Sequence, residues 1–275
     1  MPVEVGTLDV DEAGPTDGPL VLLLHGFPQS PASFEDVMPR LADAGLHVAA
    51  PAQRGYSPRA RPLSASAYGI EALSADALAV ADHFGASRFS VVGHDWGGAV
   101  AWWLGGTAPE RVATLTSLAT PHPGAMARVA LRSTQLLRSL YIPFFRLPAV
   151  PERVLLARNG LVLSRALRRS GLDADRTATY VEAMRAPGAL TAALNWYRAA
   201  SPTALGRFGP VSPPTLYVWG NRDTALGRAA ATETAELVTG PYRFVELDAV
   251  HWLPEVEPER VTALVREHLE AHGGA

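Results

Sequence analysis

Leu20-Val21-Leu22-Leu23-Leu24 is an unbroken apolar run bounded by Gly18-Pro19 and by His25-Gly26, and it is too short for a helix. Such a run reads as a strand buried on both faces, as in the middle of a parallel sheet. A helix-like segment follows from about Ala32 to Ala44, and the pattern then repeats. Leu46 to Ala50, Phe89 to Val92 and Val112 to Leu118 read as strands, with Ile70 to Phe84 and Gly97 to Gly105 as the helices between them. Later, Thr215 to Trp219 and Tyr242 to Leu247 read as strands, and Ala229 to Val238 and Pro258 to His268 as helices. This alternation predicts an α/β fold, with a mostly parallel central sheet and helices on both faces.

The stretch between the two runs of alternation is different. From Met126 to Ala199 the apolar residues recur at helical spacing, and the proline-broken stretch Ile142 to Pro151 separates one helical piece from the next. It reads as an inserted helical cap over the sheet edge. The expected organisation is therefore core 1–123, helical cap 124–205 and core 206–275, with no tandem repeat at solenoid periods.

Composition narrows the classes. A chain of 275 residues, 48% apolar and 19% charged, can bury one sizeable core. It has no cysteine, which excludes disulfides, thiolate metal sites and a cysteine nucleophile. The start, Met1-Pro2-Val3-Glu4-Val5, has neither the basic residues nor the apolar stretch of a signal peptide, and no apolar run approaches membrane-spanning length. A soluble cytoplasmic protein is expected. The net charge of -3 gives no global reason to expect nucleic acid binding, and no spaced His/Asp/Glu set suggests a metal.

The charge is unevenly spread. All 24 basic residues are arginine, and between Gly124 and Leu205 there are 12 of them against four acids, net +8, leaving net -11 for the remainder. A solvated helical face accounts for this, and so does steering of an anionic substrate or docking to an acidic surface.

The chemistry centres on Val91-Val92-Gly93-His94-Asp95-Trp96-Gly97-Gly98, a strand running through G-x-D-x-G into a helix. A side chain at such a nucleophile elbow is held in a strained conformation, and the small residues around it allow close packing. Serine is the usual occupant. A carboxylate, with a reference pKa near ~3.9, is already ionised at neutral pH and is favoured by a helix N-terminus, so Asp95 needs no base for its first step. It attacks saturated carbon bearing a strained or good leaving group, giving an ester on the enzyme that water must cleave.

The second step needs a base and an oxyanion hole. His251, in a loop after the last predicted strand, suits proton abstraction from water. Asp223, after Thr215 to Trp219, completes the order nucleophile, acid, histidine. The backbone N–H groups of Phe27 and Trp96 are the expected oxyanion donors.

HGFPQS, QRGYSP, GHDWGG, NRDTALG and VHWLPEVEP, in this order, resemble the epoxide hydrolase and haloalkane dehalogenase branch of the α/β-hydrolases, over nearly the whole chain. Gln53 departs from the pattern, standing where many relatives have Asp before Arg-Gly-Tyr. The resemblance implies an α/β-hydrolase fold, no cofactor, and a substrate pocket of Phe27, Trp96, Tyr141, Tyr197 and Trp252. In epoxide hydrolases two cap tyrosines donate protons to the leaving oxygen. The segments around Tyr141 and Tyr197 are similar to those that carry them, and both hydroxyls would be protonated donors at neutral pH. A small hydrophobic epoxide and water are the expected partners. Trp96 is shared with haloalkane dehalogenases, which also use an Asp-His-Asp triad. Phe27 replaces the Asn found in many of these, and fluoroacetate dehalogenases resemble GHDRGG rather than GHDWGG. Hydrolytic dehalogenation is therefore the alternative, and a non-catalytic binder on the same fold is a further one. Trp196, His94 and His122 read as structural.

Overall fold

The computed structural model describes residues 1–200 and 206–273. Two short strands, β1 (Pro2–Val3) and β2 (Gly6–Thr7), pair with each other. The main sheet is built from β3 (Val10–Ala13), β4 (Leu20–Leu24), β5 (His47–Pro51), β6 (Phe89–His94), β7 (Val112–Leu118), β8 (Thr215–Gly220) and β9 (Tyr242–Leu247), in the order β3-β5-β4-β6-β7-β8-β9. β3 runs antiparallel to β5, and all other pairs are parallel.

Every residue of β4 is buried, yet its neighbours serve different layers. Leu20, Leu22 and Leu24 join one apolar cluster, while Val21 and Leu23 join another. That is the two-residue alternation of a strand covered on both sides. The second cluster includes α1 (Met38–Ala42) and the C-terminal helix, Pro258–His272; the first includes α2 (Ile70–His83) and α3 (Trp96–Thr107).

The strand and helix alternation expected from the sequence is present, with local corrections. The expected helix from Ala32 to Ala44 is instead a 3-10 turn, Pro31–Phe34, followed by α1. Pro39 lacks an N–H and its ring crowds the carbonyl four residues back, so it sits only in the first helical turn. β6 continues two residues past Val92, because Gly93 and His94 keep pairing with Ser117 and Leu118. The expected helix from Ala229 to Val238 becomes α-helical only over Arg228–Glu233 and then tightens into a 3-10 turn, Thr234–Leu237. Thr234 Oγ1 donates to Ala230 O there (2.9 Å).

Between β7 and β8 lie seven helices among the described residues: α4 (Pro123–Val129), α5 (Gln135–Arg138), α6 (Tyr141–Phe145), α7 (Val150–Leu155), α8 (Ala157–Arg169), α9 (Ala174–Arg185) and α10 (Ala189–Ala199). The expected end of this insertion at residue 205 lies outside the described residues. The expected proline-broken separation is present but shorter: residues 146–149, with Pro148, lie between α6 and α7, while Pro143 and Pro151 occupy the first turns of those helices, where the missing N–H has no intrahelical partner to lose. Arg158, Asn159 and Gly160 all have positive φ, so regular helix in α8 begins after them. α11 (Arg228–Glu233), α12 (Leu253–Val256) and α13 (Pro258–His272) complete the chain. No helix among the described residues is long and apolar enough to cross a membrane.

Candidate active site

β6 hands the chain to α3 through one residue, Asp95, whose φ of 51° and ψ of -118° lie outside the regions an L side chain prefers. Such a conformation costs about 1–3 kcal/mol and persists only where the surroundings enforce it. Here they do. A Cβ on Gly97 would stand 1.9 Å from Leu24 O, and one on Gly93 would stand 2.2 Å from Gly97 O, so glycine alone fits the turn. The carboxylate is thereby raised at the end of the strands' carboxyl edge.

The loop after β4 crosses over it. A Cβ on Gly26 would lie 2.3 Å from the Asp95 Cβ, and this close passage brings the Phe27 N–H to Asp95 Oδ1 at 2.8 Å. The Trp96 N–H, the other expected oxyanion donor, has no hydrogen bond to the carboxylate among the described residues; its residue opens α3 directly after Asp95.

Asp223 follows β8 and is buried. Its Oδ1 accepts the N–H groups of Ala225 (2.7 Å) and Leu226 (2.9 Å), which leaves Oδ2 aimed at His251 Nδ1, 2.7 Å away. The other ring nitrogen, Nε2, is 3.6 Å from Asp95 Oδ2. Three residues expected to act together are thus brought into one line from three strand ends.

Electrostatics follow from that line. Burial pulls the His251 imidazolium down, but the flanking Asp223 and Asp95 carboxylates outweigh it and leave its pKa well above the usual value. Burial pushes Asp95 up, and the His251 hydrogen bond and charge, with the His94 charge and the Phe27 N–H, bring it below the ordinary range. The resting pair is carboxylate and imidazolium.

Tyr197 on α10 faces this centre from the insertion. Its ring meets Trp96 edge-on at 5.1 Å, Phe27 at 5.3 Å and Phe145 at 5.0 Å; Tyr141 on α6 meets it at 6.1 Å. Burial, followed by the charges of neighbouring Tyr141 and Asp95, holds the Tyr197 hydroxyl well above its usual pKa; burial and Asp95 do the same for Tyr141. Both stay protonated. Trp252, also expected in the pocket, sits edge-on to His251 at 5.2 Å and donates Nε1–H to Ser170 Oγ at 3.0 Å. A cavity of about 240 Å³ beside Trp96 and Trp196 is walled further by Tyr68, Ile70 and Phe208. A larger open groove of about 620 Å³, at Arg146, Asn195 and Arg198, touches none of these site residues.

Residues 19–258 match the model of a family described by its alpha/beta hydrolase fold. The chain belongs to the α/β-hydrolase family. Among relatives, the AB hydrolase superfamily protein YfhM of Bacillus subtilis is 38% identical over 96% of this chain and 94% of its own. Epoxide hydrolase A of Mycobacterium tuberculosis is 33% identical over 95% of this chain and 94% of its own. The crystal structure of epoxide hydrolase A from Mycobacterium thermoresistibile superposes with a TM-score of 0.86 at 29% identity, covering 96% of this chain and 95% of that one.

This α/β-hydrolase also carries a buried polar chain around His251 that joins His94, read from sequence as structural, to Gln29, Glu255 and Tyr180, which sequence reading did not single out. The two ring nitrogens of His94 bridge the His251 carbonyl (Nε2, 2.9 Å) and Gln29 Oε1 (Nδ1, 2.8 Å). Gln29 Nε2–H donates to Glu255 Oε1 (2.6 Å), which also accepts the Tyr180 hydroxyl of α9 (2.9 Å). The signal was available: Glu255 is a lone carboxylate inside the apolar run Trp252-Leu253-Pro254-Glu255-Val256. Gln53, the departure noted above, donates Nε2–H to His25 O at 2.6 Å, bracing the loop that carries the Phe27 N–H. His122 caps α4 through Nδ1 and Trp196 donates to Arg54 O, both structural roles. No group of three or more His, Asp or Glu residues placed to hold a metal ion occurs among the described residues.

Proposed function

We propose that this α/β-hydrolase is an epoxide hydrolase that opens a hydrophobic epoxide to a vicinal diol through an ester on Asp95. The supporting observation is the opposition of two groups: an ionised carboxylate at a strained elbow and, facing it from a helical cap, a pair of tyrosines that burial keeps protonated. Asp95 attacks one epoxide carbon, the C–O bond breaks, and Tyr197 with Tyr141 gives the departing oxygen its proton.

Esterification then changes His251. The Asp95 charge that helped hold its proton disappears, so its pKa falls, and the imidazolium returns a proton to the tyrosine that lost one. The neutral imidazole, still oriented by Asp223, takes a proton from water as that water attacks the ester carbonyl. The Phe27 N–H, already at Oδ1, and the Trp96 N–H stabilise the oxyanion, each donor contributing roughly 10²–10³ in rate. Collapse expels the diol oxygen, which takes the proton from His251, and the acid left on Asp95 passes the second proton of that water to His251, restoring the carboxylate and imidazolium pair.

His251→Gln tests the sequence of events. With an epoxide this variant accumulates an adduct, read as a mass shift on the Asp95 peptide, while diol formation stops. Absence of the adduct with turnover unchanged overturns the reading. Measuring diol and halide together on epoxides and haloalkanes distinguishes it from dehalogenation.

A further inference from the structure

The arginine-rich insertion concentrates the molecule's exposed apolar surface. Of the ten large apolar side chains that are exposed among the described residues, eight fall between Leu131 and Val162. Leu131 (89% exposed), Leu137 (67%) and Leu140 (62%), together with Leu136 and Leu147, crowd into the short elements around α5 and α6. Exposed apolar side chains concentrated in one segment of a globular protein point to a place where something else binds.

The charges in the same stretch say what. From Val129 to Leu155 the chain carries Arg132, Arg138, Arg146 and Arg153, and its single acid, Glu152, is taken by Arg198 at 2.9 Å. Among the described residues none of those four arginines pairs with a carboxylate; Arg138 and Arg146 donate only to backbone carbonyls and to a threonine hydroxyl. Leucines interleaved with unneutralised guanidinium groups match an interface whose outer layer is anionic and whose inner layer is hydrocarbon.

We propose that the Leu131–Val154 face of the helical insertion docks on an anionic lipid surface, with the leucines reaching the acyl boundary and the arginines meeting the phosphates. A second copy fits less well, because joining two such faces opposes like charges. The docking is independent of the reaction at Asp95. Lipid, being fluid, also needs no rigid groove to receive side chains scattered over short helices and turns.

Sedimentation with vesicles tests it. The intact chain pellets with vesicles of equal parts phosphatidylglycerol and phosphatidylcholine, not with phosphatidylcholine alone, and is largely released at about 0.5 M salt. A variant combining Leu136→Ser, Leu137→Ser and Leu140→Ser binds at least about tenfold more weakly, and so does one combining Arg132→Gln, Arg146→Gln and Arg153→Gln. The arginine variant removes no apolar packing, so it carries the test if the leucine variant fails to keep its circular dichroism. Failure of the intact chain to pellet with the anionic vesicles, or undiminished binding by the arginine variant, overturns the proposal. So does a dimer in analytical ultracentrifugation that the leucine variant dissolves, which assigns the face to a second copy.

Discussion

Asp95 and Asp223 follow strands that are buried throughout and His251 follows the partly exposed edge strand β9, whereas Tyr141 and Tyr197 stand on helices of an insertion whose outer side is open to solvent. The means of positioning differ accordingly. Backbone fixes the first group: a φ of 51° at Asp95, two N–H groups on Asp223 Oδ1, and a ring nitrogen on the His251 carbonyl. Ring packing fixes the second, through Phe27, Trp96 and Phe145 against Tyr197. In the proposed reaction the sheet edge therefore supplies what a carboxylate nucleophile needs, and the insertion supplies what depends on the leaving group. Changes in one should abolish chemistry, and changes in the other should grade it.

The sharpest way to break that contrast is Asp95→Gly. Turnover and adduct formation should fall at least about 10⁴-fold, as for removal of a nucleophile. Glycine accepts the positive φ without a Cβ penalty and removes a partly buried carboxylate, so unfolding free energy should drop by less than about 1 kcal/mol, or rise. A large loss in urea denaturation would show that the Asp95 contacts with His251 and the Phe27 N–H outweigh the backbone strain.

On the insertion side, Tyr197→Phe should slow adduct formation by about 10²-fold, the scale for one lost donor to a developing oxyanion. Tyr141 is only partly buried, so water substitutes for it, and Tyr141→Phe should cost about tenfold. Equal effects on adduct hydrolysis in rapid-quench experiments would contradict the assignment to the first step. Because both hydroxyls are held above their ordinary pKa, adduct formation should show no fall as pH rises through the usual tyrosine range.

A smaller effect separates two states of the sheet edge itself. Two carboxylates raise the His251 pKa at rest, and in the proposed reaction esterification of Asp95 leaves the ring only one. Its folded pKa is raised, so the imidazolium persists at pH values above 6.5 and is lost as pH climbs through that raised value. Adduct hydrolysis needs the neutral ring, so it should accelerate with pH, with a midpoint below that of the His251 titration in the resting enzyme followed by NMR. Coincident midpoints would mean that Asp95 does not influence His251.

The same division governs what could be read from sequence. β4 and the elbow were legible because a strand covered on both faces is a continuous apolar run and because glycine spacing at 93, 97 and 98 has one steric use. β3 was not: Val10-Asp11-Glu12-Ala13 lies at the sheet margin with its charges exposed, and four residues give too little alternation to recognise. The prolines of the insertion overstate the break: Pro148 stands in it, but Pro143 and Pro151 sit in first turns, where a proline costs a helix nothing. Asp223 could be placed from its strand, but the contact of Gln29 with Glu255 spans 226 positions, and no local pattern announces such a pair.

The weakest effects concern the ties between the two regions. Tyr180 OH donates to a buried carboxylate oxygen of Glu255, whose other oxygen has no partner among the described residues. Tyr180→Phe should cost about 1.5–3 kcal/mol of stability, the range for hydrogen bonds to charged groups. Trp252 Nε1–H meets only a neutral hydroxyl, Ser170 Oγ just past α8, so Trp252→Phe should cost about 0.5–1.5 kcal/mol for the hydrogen bond, plus the packing of a smaller ring. Neither substitution touches the backbone that places Asp95 or Asp223. If ring packing rather than polar ties holds the insertion over the site, both variants should melt earlier by thermal denaturation while keeping the wild-type rate of adduct formation below that melt. A fall in that rate matching the Tyr197→Phe loss would show instead that the insertion is held in place from Trp252 and Tyr180, and that its aromatic contacts follow from that anchoring.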